Sequence, residues 1–225
     1  MAHQHQLPAE RRAERQAEHQ PHRHVHHPED GGLSPSPACE RGFEAVSVAE
    51  IARAADVSEA TVFNYFTTKE DLVYHGMEAF EQELLDAVRT RPRGTSVLDA
   101  FAAFVTTPRG LLATDDPEAQ QALLAISRVI ATSPALLARE RQILARYTDS
   151  LAGVLAAETG AGPDDLRPRL AARTLIGLHA VLLDYVRSRL VDDDPDVRRL
   201  ARDVRREGER AVALLRTGLG DYPSP

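Results

Sequence analysis

One cysteine, Cys39, stands in the 225-residue sequence, so neither an internal disulfide nor a thiolate cluster for zinc can be built, as suits a reducing compartment. With no second cysteine or activating neighbour in view, an incidental loop thiol outweighs a redox sensor. No run of about 18 apolar residues could span a bilayer, and no apolar stretch follows the N-terminal charges as a signal peptide would require. No membrane partner is expected, and the expected location is cytoplasmic. No segment alternates with period two and no internal repeat is visible, which predicts an all-α fold without a sheet. Metal-binding helix motifs, glycine-rich phosphate loops and Cys/His pairings are also missing. A helical enzyme is therefore disfavoured, and no catalytic residue, metal or cofactor is assigned. With a net charge of −7, bulk electrostatics does not advertise a nucleic-acid binder, so any DNA contact must come from a local patch. Lysine is nearly absent too: among 27 basic side chains the only one is Lys69.

What is present is 43% hydrophobic, ample for a buried core. Residues 1–40 differ from the rest. Seven of the nine histidines sit there, among Pro, Gln, Gly and Ser and without apolar periodicity, which predicts disorder. His22, His24, His26 and His27 invite a metal reading, but a flexible His-rich tail binds nickel or zinc weakly without purpose. From Gly42 onward the pattern is helical. Val48, Ile51, Ala52 and Ala55 recur at helical spacing behind Ser47, and Glu50 completes a capping box. A second short helix follows from Ser58, with Val62, Phe63 and Phe66 expected on its inner face. A third is expected from Thr68, with Val73, Met77, Phe80, Leu84 and Val88 on one stripe. The Arg91-Pro92-Arg93-Gly94 break marks a domain boundary.

Beyond it, Asp116-Pro117, Ser133-Pro134 and Asp194-Pro195 each set a capping side chain before a proline at the first helical position. Apolar stripes follow: Leu123, Ile126 and Ile130; then Leu137, Leu144, Tyr147, Leu151 and Leu155; then Val197, Leu200, Val204, Ala211 and Leu215. A long segment from about 164 to 191, with Leu170, Leu175, Leu178, Leu182, Tyr185 and Val186, is broad enough to be buried on more than one side. The arginines from Arg198 to Arg210 are balanced by Asp203, Glu207 and Glu209, as on a solvated face.

Two short helices joined by Asp56-Val57 have the geometry of a helix-turn-helix, whose second helix enters the major groove. That pattern alone is common. Its residues are more specific: Gly42-Phe43 at the entry, Ser47-Val48-Ala49-Glu50-Ile51-Ala52, the Val57-Ser58 turn, Thr61-Val62-Phe63-Asn64-Tyr65-Phe66, and Lys69-Glu70-Asp71-Leu72 at the exit. Over about 30 residues this resembles the DNA-binding signature of TetR-family regulators. The expected DNA-binding residues are Ser47, Ser58, Glu59, Ala60, Thr61, Asn64, Tyr65 and Lys69. Ser47 and Ser58 open helices whose free N–H groups suit phosphate oxygens, although simple capping explains them equally well. Glu59, Ala60, Thr61, Asn64 and Tyr65 are expected on the face away from Val62, Phe63 and Phe66, where Ala60 and Thr61 can meet thymine methyls and Asn64 a base edge. The resemblance implies phosphate contacts for Tyr65 and Lys69.

Family members normally begin with a basic helix that closes over this motif. Here the slot holds Gly31-Gly32-Leu33-Ser34-Pro35-Ser36-Pro37-Ala38-Cys39, where two prolines within three residues forbid a helix. Residues 1–40 carry four Arg against six Asp and Glu, so they form no basic arm. One reading is an out-of-frame N-terminus: back-translated with GC-rich codons and shifted one base, His26 to Gly32 can read Thr-Thr-Arg-Arg-Thr-Ala-Ala. The other is an authentic variant with an impaired DNA-binding domain.

The expected organisation is a disordered or misread segment 1–40, a helix-turn-helix domain 41–90 and a helical ligand-sensing and dimerisation domain 95–218. The resemblance implies a homodimer on a palindromic double-stranded DNA operator, paired through the last two long helices. It implies repression relieved by a small-molecule inducer. Arg128, Tyr147, His179 and Tyr185 are polar groups in apolar stripes that can orient a ligand, though satisfied core side chains are the blander reading. The competing function is a TetR-like ligand-binding or heterodimerising protein that has lost DNA binding with its first helix.

Overall fold

A computed structural model describes residues 41–191 and 196–219. The predicted tail 1–40, with its histidine cluster and Cys39, lies outside the described residues, as does the predicted Asp194-Pro195 cap. The described residues form eight α-helices and no strand: α1 Val48–Ala54, α2 Glu59–Tyr65, α3 Met77–Arg89, α4 Val97–Val105, α5 Pro117–Thr132, α6 Pro134–Thr159, α7 Arg167–Leu190 and α8 Val197–Leu219. Among them no single helix is long and apolar enough to cross a membrane.

Local chemistry sets most of the boundaries. Ser47 and Glu50 form the expected capping box on α1, and Ser58 Oγ accepts the Thr61 amide at 3.0 Å to open α2. Asp116 and Ser133 cap α5 and α6, each followed by proline in the first turn, and Gly160, at φ +63, ends α6. Ser96 caps α4, a helix the apolar stripes did not single out. Asp196 caps α8 by accepting the Arg199 amide at 2.8 Å.

The helix expected from Thr68 starts at Met77. Thr68 and Asp71 close a 3-10 turn over Glu70–Leu72, and Gly76, at φ +81, resets the chain direction before α3. Leu170, expected inside, is 63% exposed on α7.

The main core gathers α3, α4, α6, α7 and α8 around Leu84, Val88, Phe101, Tyr147, Leu151, Leu155, Leu175 and Val212. The buried line of α6 runs Leu136, Ile143, Tyr147, Leu151, Leu155, so Leu136 rather than Leu137 begins it. Gly208 lets α8 approach the end of α4: a Cβ there would stand 2.5 Å from Thr106 Cγ2. A second cluster joins Leu190, Val197, Leu200 and Val204 to Leu123, Leu124 and Tyr185. The helix-turn-helix has a small core of its own in Ala52, Val62 and Leu72, flanked by Val48, Ile51 and Phe66.

Candidate nucleic-acid interface

The turn between α1 and α2 is compact because Asp56 takes φ +54, a conformation Asp tolerates better than most residues, while the Val57 amide donates to Ala52 O at 2.9 Å. Val62 and Phe66, four residues apart, pin α2 to α1 from one side. Glu59, Ala60, Asn64 and Tyr65 are exposed, Tyr65 to 69%, and Thr61 is half-buried with its hydroxyl 2.8 Å from Ser58 Oγ.

Phe63 departs from expectation. It is 55% exposed, not on the inner face, because it lies about 100° around the helix from Val62, beside Glu59 and Ala60. An outward aromatic on the candidate reading helix is thus a residue that sequence reasoning missed. Strict i, i+4 spacing from Val62 to Phe66 would have found it.

The charges are arranged unexpectedly. Residues 41–76 carry three cations, Arg41, Arg53 and Lys69, against six carboxylates. Arg41 pairs with Glu50 at 2.8 Å, and the Glu50 carboxyl falls to about 2, held first by the Ser47 amide and then by Arg41. Lys69 is turned inward: its Nζ stands 4.1 Å over the Phe43 ring and donates to Phe43 O. It fastens the entry of the motif to its exit. Arg53 alone of the three is exposed with no ion pair among the described residues.

A corner of the bundle holds the motif. α5 and α6 meet at 97° at Ser133, and this corner presses Val129, Ile130 and Leu136 against Phe43, Val73 and Tyr74. Polar contacts surround the patch. Ser133 Oγ donates to Glu44 at 2.6 Å, Tyr74 Oη to Leu136 O at 3.0 Å, and Arg139 pairs with Asp71 at 2.7 Å. The Ser133 hydroxyl is the main reason that Glu44 ionises below its ordinary value. At Asp71 burial opposes ionisation, but the Thr68 amide and hydroxyl with Arg139 outweigh it.

The four ligand candidates separate. Tyr147 and His179 come together against Phe80, whose ring stacks on Tyr147 at 6.0 Å and on His179 at 5.1 Å and meets Phe104 edge-on at 5.3 Å. The Tyr147 hydroxyl is already committed to Met77 O at 2.5 Å. His179 is 7% exposed, its Nε2 is buried with no hydrogen-bond partner, and desolvation lowers its pKa to about 4, so the imidazole is neutral. Tyr185 instead sits in the second cluster with the Arg189 guanidinium 5.3 Å over its ring, and Arg128 is exposed on α5. Phe80 and Phe104 complete the aromatic group; Phe80 was legible only as a core position, and Phe104 belongs to α4, which the apolar stripes did not single out.

The arginines of α8 are mostly neutralised: Arg198 pairs with Asp115, Arg205 with Glu209, Arg206 with Asp203 and Arg210 with Glu207. Among the described residues no group of three or more His, Cys, Asp or Glu could hold a metal ion.

Comparison with known proteins agrees with the motif. Residues 39–74 match the bacterial regulatory proteins of the tetR family, and residues 95–213, just over half of the chain, match the MftR C-terminal domain of TetR-type regulators. The HTH-type transcriptional regulator TcmR of Streptomyces glaucescens is 30% identical over 132 residues, which cover 57% of this chain and 58% of that protein. The chain therefore spans under two thirds of that relative's length. Among solved structures, Salmonella enterica GusR is 20% identical with a TM-score of 0.48, covering 84% of this chain and 92% of that one. The TetR-family transcriptional regulator PfmR from Thermus thermophilus is 17% identical with a TM-score of 0.41, covering 81% and 96%. With its helix-turn-helix, its all-helical architecture and both halves of the chain matched, this protein belongs to the TetR family of DNA-binding transcriptional regulators.

Proposed function

We propose that this regulator is a cytoplasmic, one-component repressor: a homodimer that occupies a palindromic operator and leaves it when a small molecule binds the helical domain. In this reading residues 41–90 bind DNA and residues 95–218 sense and dimerise. The observation that carries it is the outward face of α2, with Glu59, Ala60, Phe63, Asn64 and Tyr65 exposed on a helix whose opposite side is fastened to α1. Those side chains read base edges and sugars, while the amide ends of α1 and α2 at Ser47 and Ser58 and the Tyr65 hydroxyl hold phosphates. Lys69 takes part by keeping the entry loop in place.

Pairing of two subunits is supported by an apolar stripe on α7. Leu166, the residue just before α7, and Leu170 and Val181 within it are 74%, 63% and 62% exposed at spacings that keep one side, with Gly177 open between them and Leu214 exposed on α8. Two recognition helices set a DNA turn apart by such a pair would match a palindrome. The inducer enters the region of Phe80, Tyr147 and His179, where the neutral imidazole lacks a partner that a ligand could supply. A conformation favoured by the ligand would then move the Ser133 corner and with it the helix-turn-helix.

A second reading is favoured by one observation, the excess of carboxylates over cations in residues 41–76: a ligand-binding or heterodimerising member that no longer holds DNA. Fluorescence anisotropy of the full-length protein on its own upstream intergenic DNA, against scrambled DNA at two salt concentrations, separates them. Specific, salt-sensitive binding by a dimer supports the repressor. Equal, weak binding to both DNAs replaces it with the second reading.

A further inference from the structure

Helix α6 turns two faces to its surroundings. Tyr147, Leu151 and Leu155 enter the core, while the neighbouring strip of Ser150, Gly153, Val154 and Ala157, with Val154 also packed against that core, lines an open groove of about 730 Å³ against α3 and the segment that follows it. Gly153, Val154, Ala157 and Leu85 make an apolar strip of the floor, beside Gln82 and a Ser150 hydroxyl that is committed to Glu81, and a Cβ on Gly153 would meet nothing within 4 Å, so the groove is clear there. Its rim is basic: Arg89, Arg91 and Arg93 stand against one carboxylate, Glu158.

The three arginines differ. Arg91 is a fixed clamp, donating to Val88 O at 2.7 Å, Thr95 O at 3.0 Å and Glu158 Oε2 at 2.9 Å, with its other terminal nitrogen on Glu158 Oε1. Glu158 is thereby neutralised. Arg89 has only an exposed pair with Asp86 at 3.2 Å, and Arg93 has no ion pair among the described residues. The rim thus keeps a surplus of positive charge on a chain whose net charge is −7.

An apolar floor of ligand size beneath guanidinium donors is complementary to a small organic anion. We propose that the α3–α6 groove binds such an anion, an apolar body carrying one carboxylate, sulfonate or phosphate. The site is distinct from the Phe80, Tyr147 and His179 interior in its lining, which includes none of those three residues.

The test is a titration of the full-length protein with 8-anilinonaphthalene-1-sulfonate, followed by fluorescence and by calorimetry for stoichiometry. Gly153→Trp fills the floor, Arg93→Glu reverses the free rim charge, and His179→Leu alters the interior alone; circular dichroism shows which variants are folded. The expected result is one saturable site per chain, weakened about tenfold by Gly153→Trp and several-fold by Arg93→Glu, and unchanged in His179→Leu. If Gly153→Trp fails to fold, Arg93→Glu decides, since Arg93 lies on an exposed connecting segment. Absence of a saturable site overturns the proposal. So does wild-type affinity in the folded groove variants, or a loss confined to His179→Leu.

Discussion

The helix-turn-helix and the bundle behind it are held together by different means. α1 and α2 have seven residues each, secured by serine caps and a three-residue buried centre, while α6, α7 and α8 run for 26, 24 and 23 residues around a shared core. Helices as short as α1 and α2 are not stable alone. The Ser133 corner packs against the segments that enter and leave them, so it is where a change in the bundle would reach the helix-turn-helix. The contrast leads to the expectation that the bundle holds itself together, whereas the helix-turn-helix depends on its attachment to it.

Cutting into the bundle should have the largest effect. Leu151, fully buried on α6, becomes a cavity as alanine, with an expected loss of about 3–5 kcal/mol in urea unfolding. A loss below about 1 kcal/mol would mean that the main core is not the principal stabilising unit. Gly208→Ala should cost about 1–3 kcal/mol, since Thr106 is braced by its hydroxyl on Ala102 O and cannot easily swing away from the new methyl; an unchanged melting curve would show that α8 shifts freely.

Ser133→Ala tests attachment directly. It removes the α6 cap and the partner of Glu44, for about 1–2 kcal/mol. Hydrogen exchange should quicken in residues 41–76 far more than in the centre of α7, and uniform quickening would contradict the contrast. The pH dependence has a definite sign. Glu44 ionises below its ordinary 4.5 when folded, so its contribution is present above that value and is lost as pH falls through the lowered one. The variant should show a shallower acid-side loss of stability than the wild type.

His179→Leu sharpens the comparison in the opposite direction. Removing a buried imidazole with an unpaired Nε2 should leave stability unchanged or raise it by about 1 kcal/mol; a clear loss would show that the ring has an unseen partner. Smallest is a salt effect. With Arg41 neutralised by Glu50 at the surface and Lys69 turned inward, Arg53 is the one exposed cation of residues 41–76 left without an ion pair among the described residues, so Arg53→Ala should lower the slope of log affinity against log salt by about one per subunit. A slope that does not change would place the phosphate contacts elsewhere.

Much of this was legible beforehand. The caps at Ser47, Ser58, Asp116 and Ser133 and the family motif require only neighbours in sequence, and each appears as expected. Phe63, Leu170, Lys69 and the four ligand candidates were different. Phe63 was placed inside because aromatics usually are, yet a seven-residue helix buries one narrow line, and Val62 with Phe66 fills it. Leu170 reads as core on composition, but it lies on a side of α7 that nothing among the described residues covers.

The sequence by itself determined which stretches are helical, where most begin, and which motif marks the family, because capping and periodicity act over three or four residues. Only the tertiary structure decided that Lys69 turns onto Phe43, that His179 meets Tyr147 across Phe80 while Tyr185 and Arg128 stand apart, and that Glu44 reaches Ser133. Those contacts join residues from 26 to 99 positions apart, and distance along the chain carries no information about which helix faces come to meet.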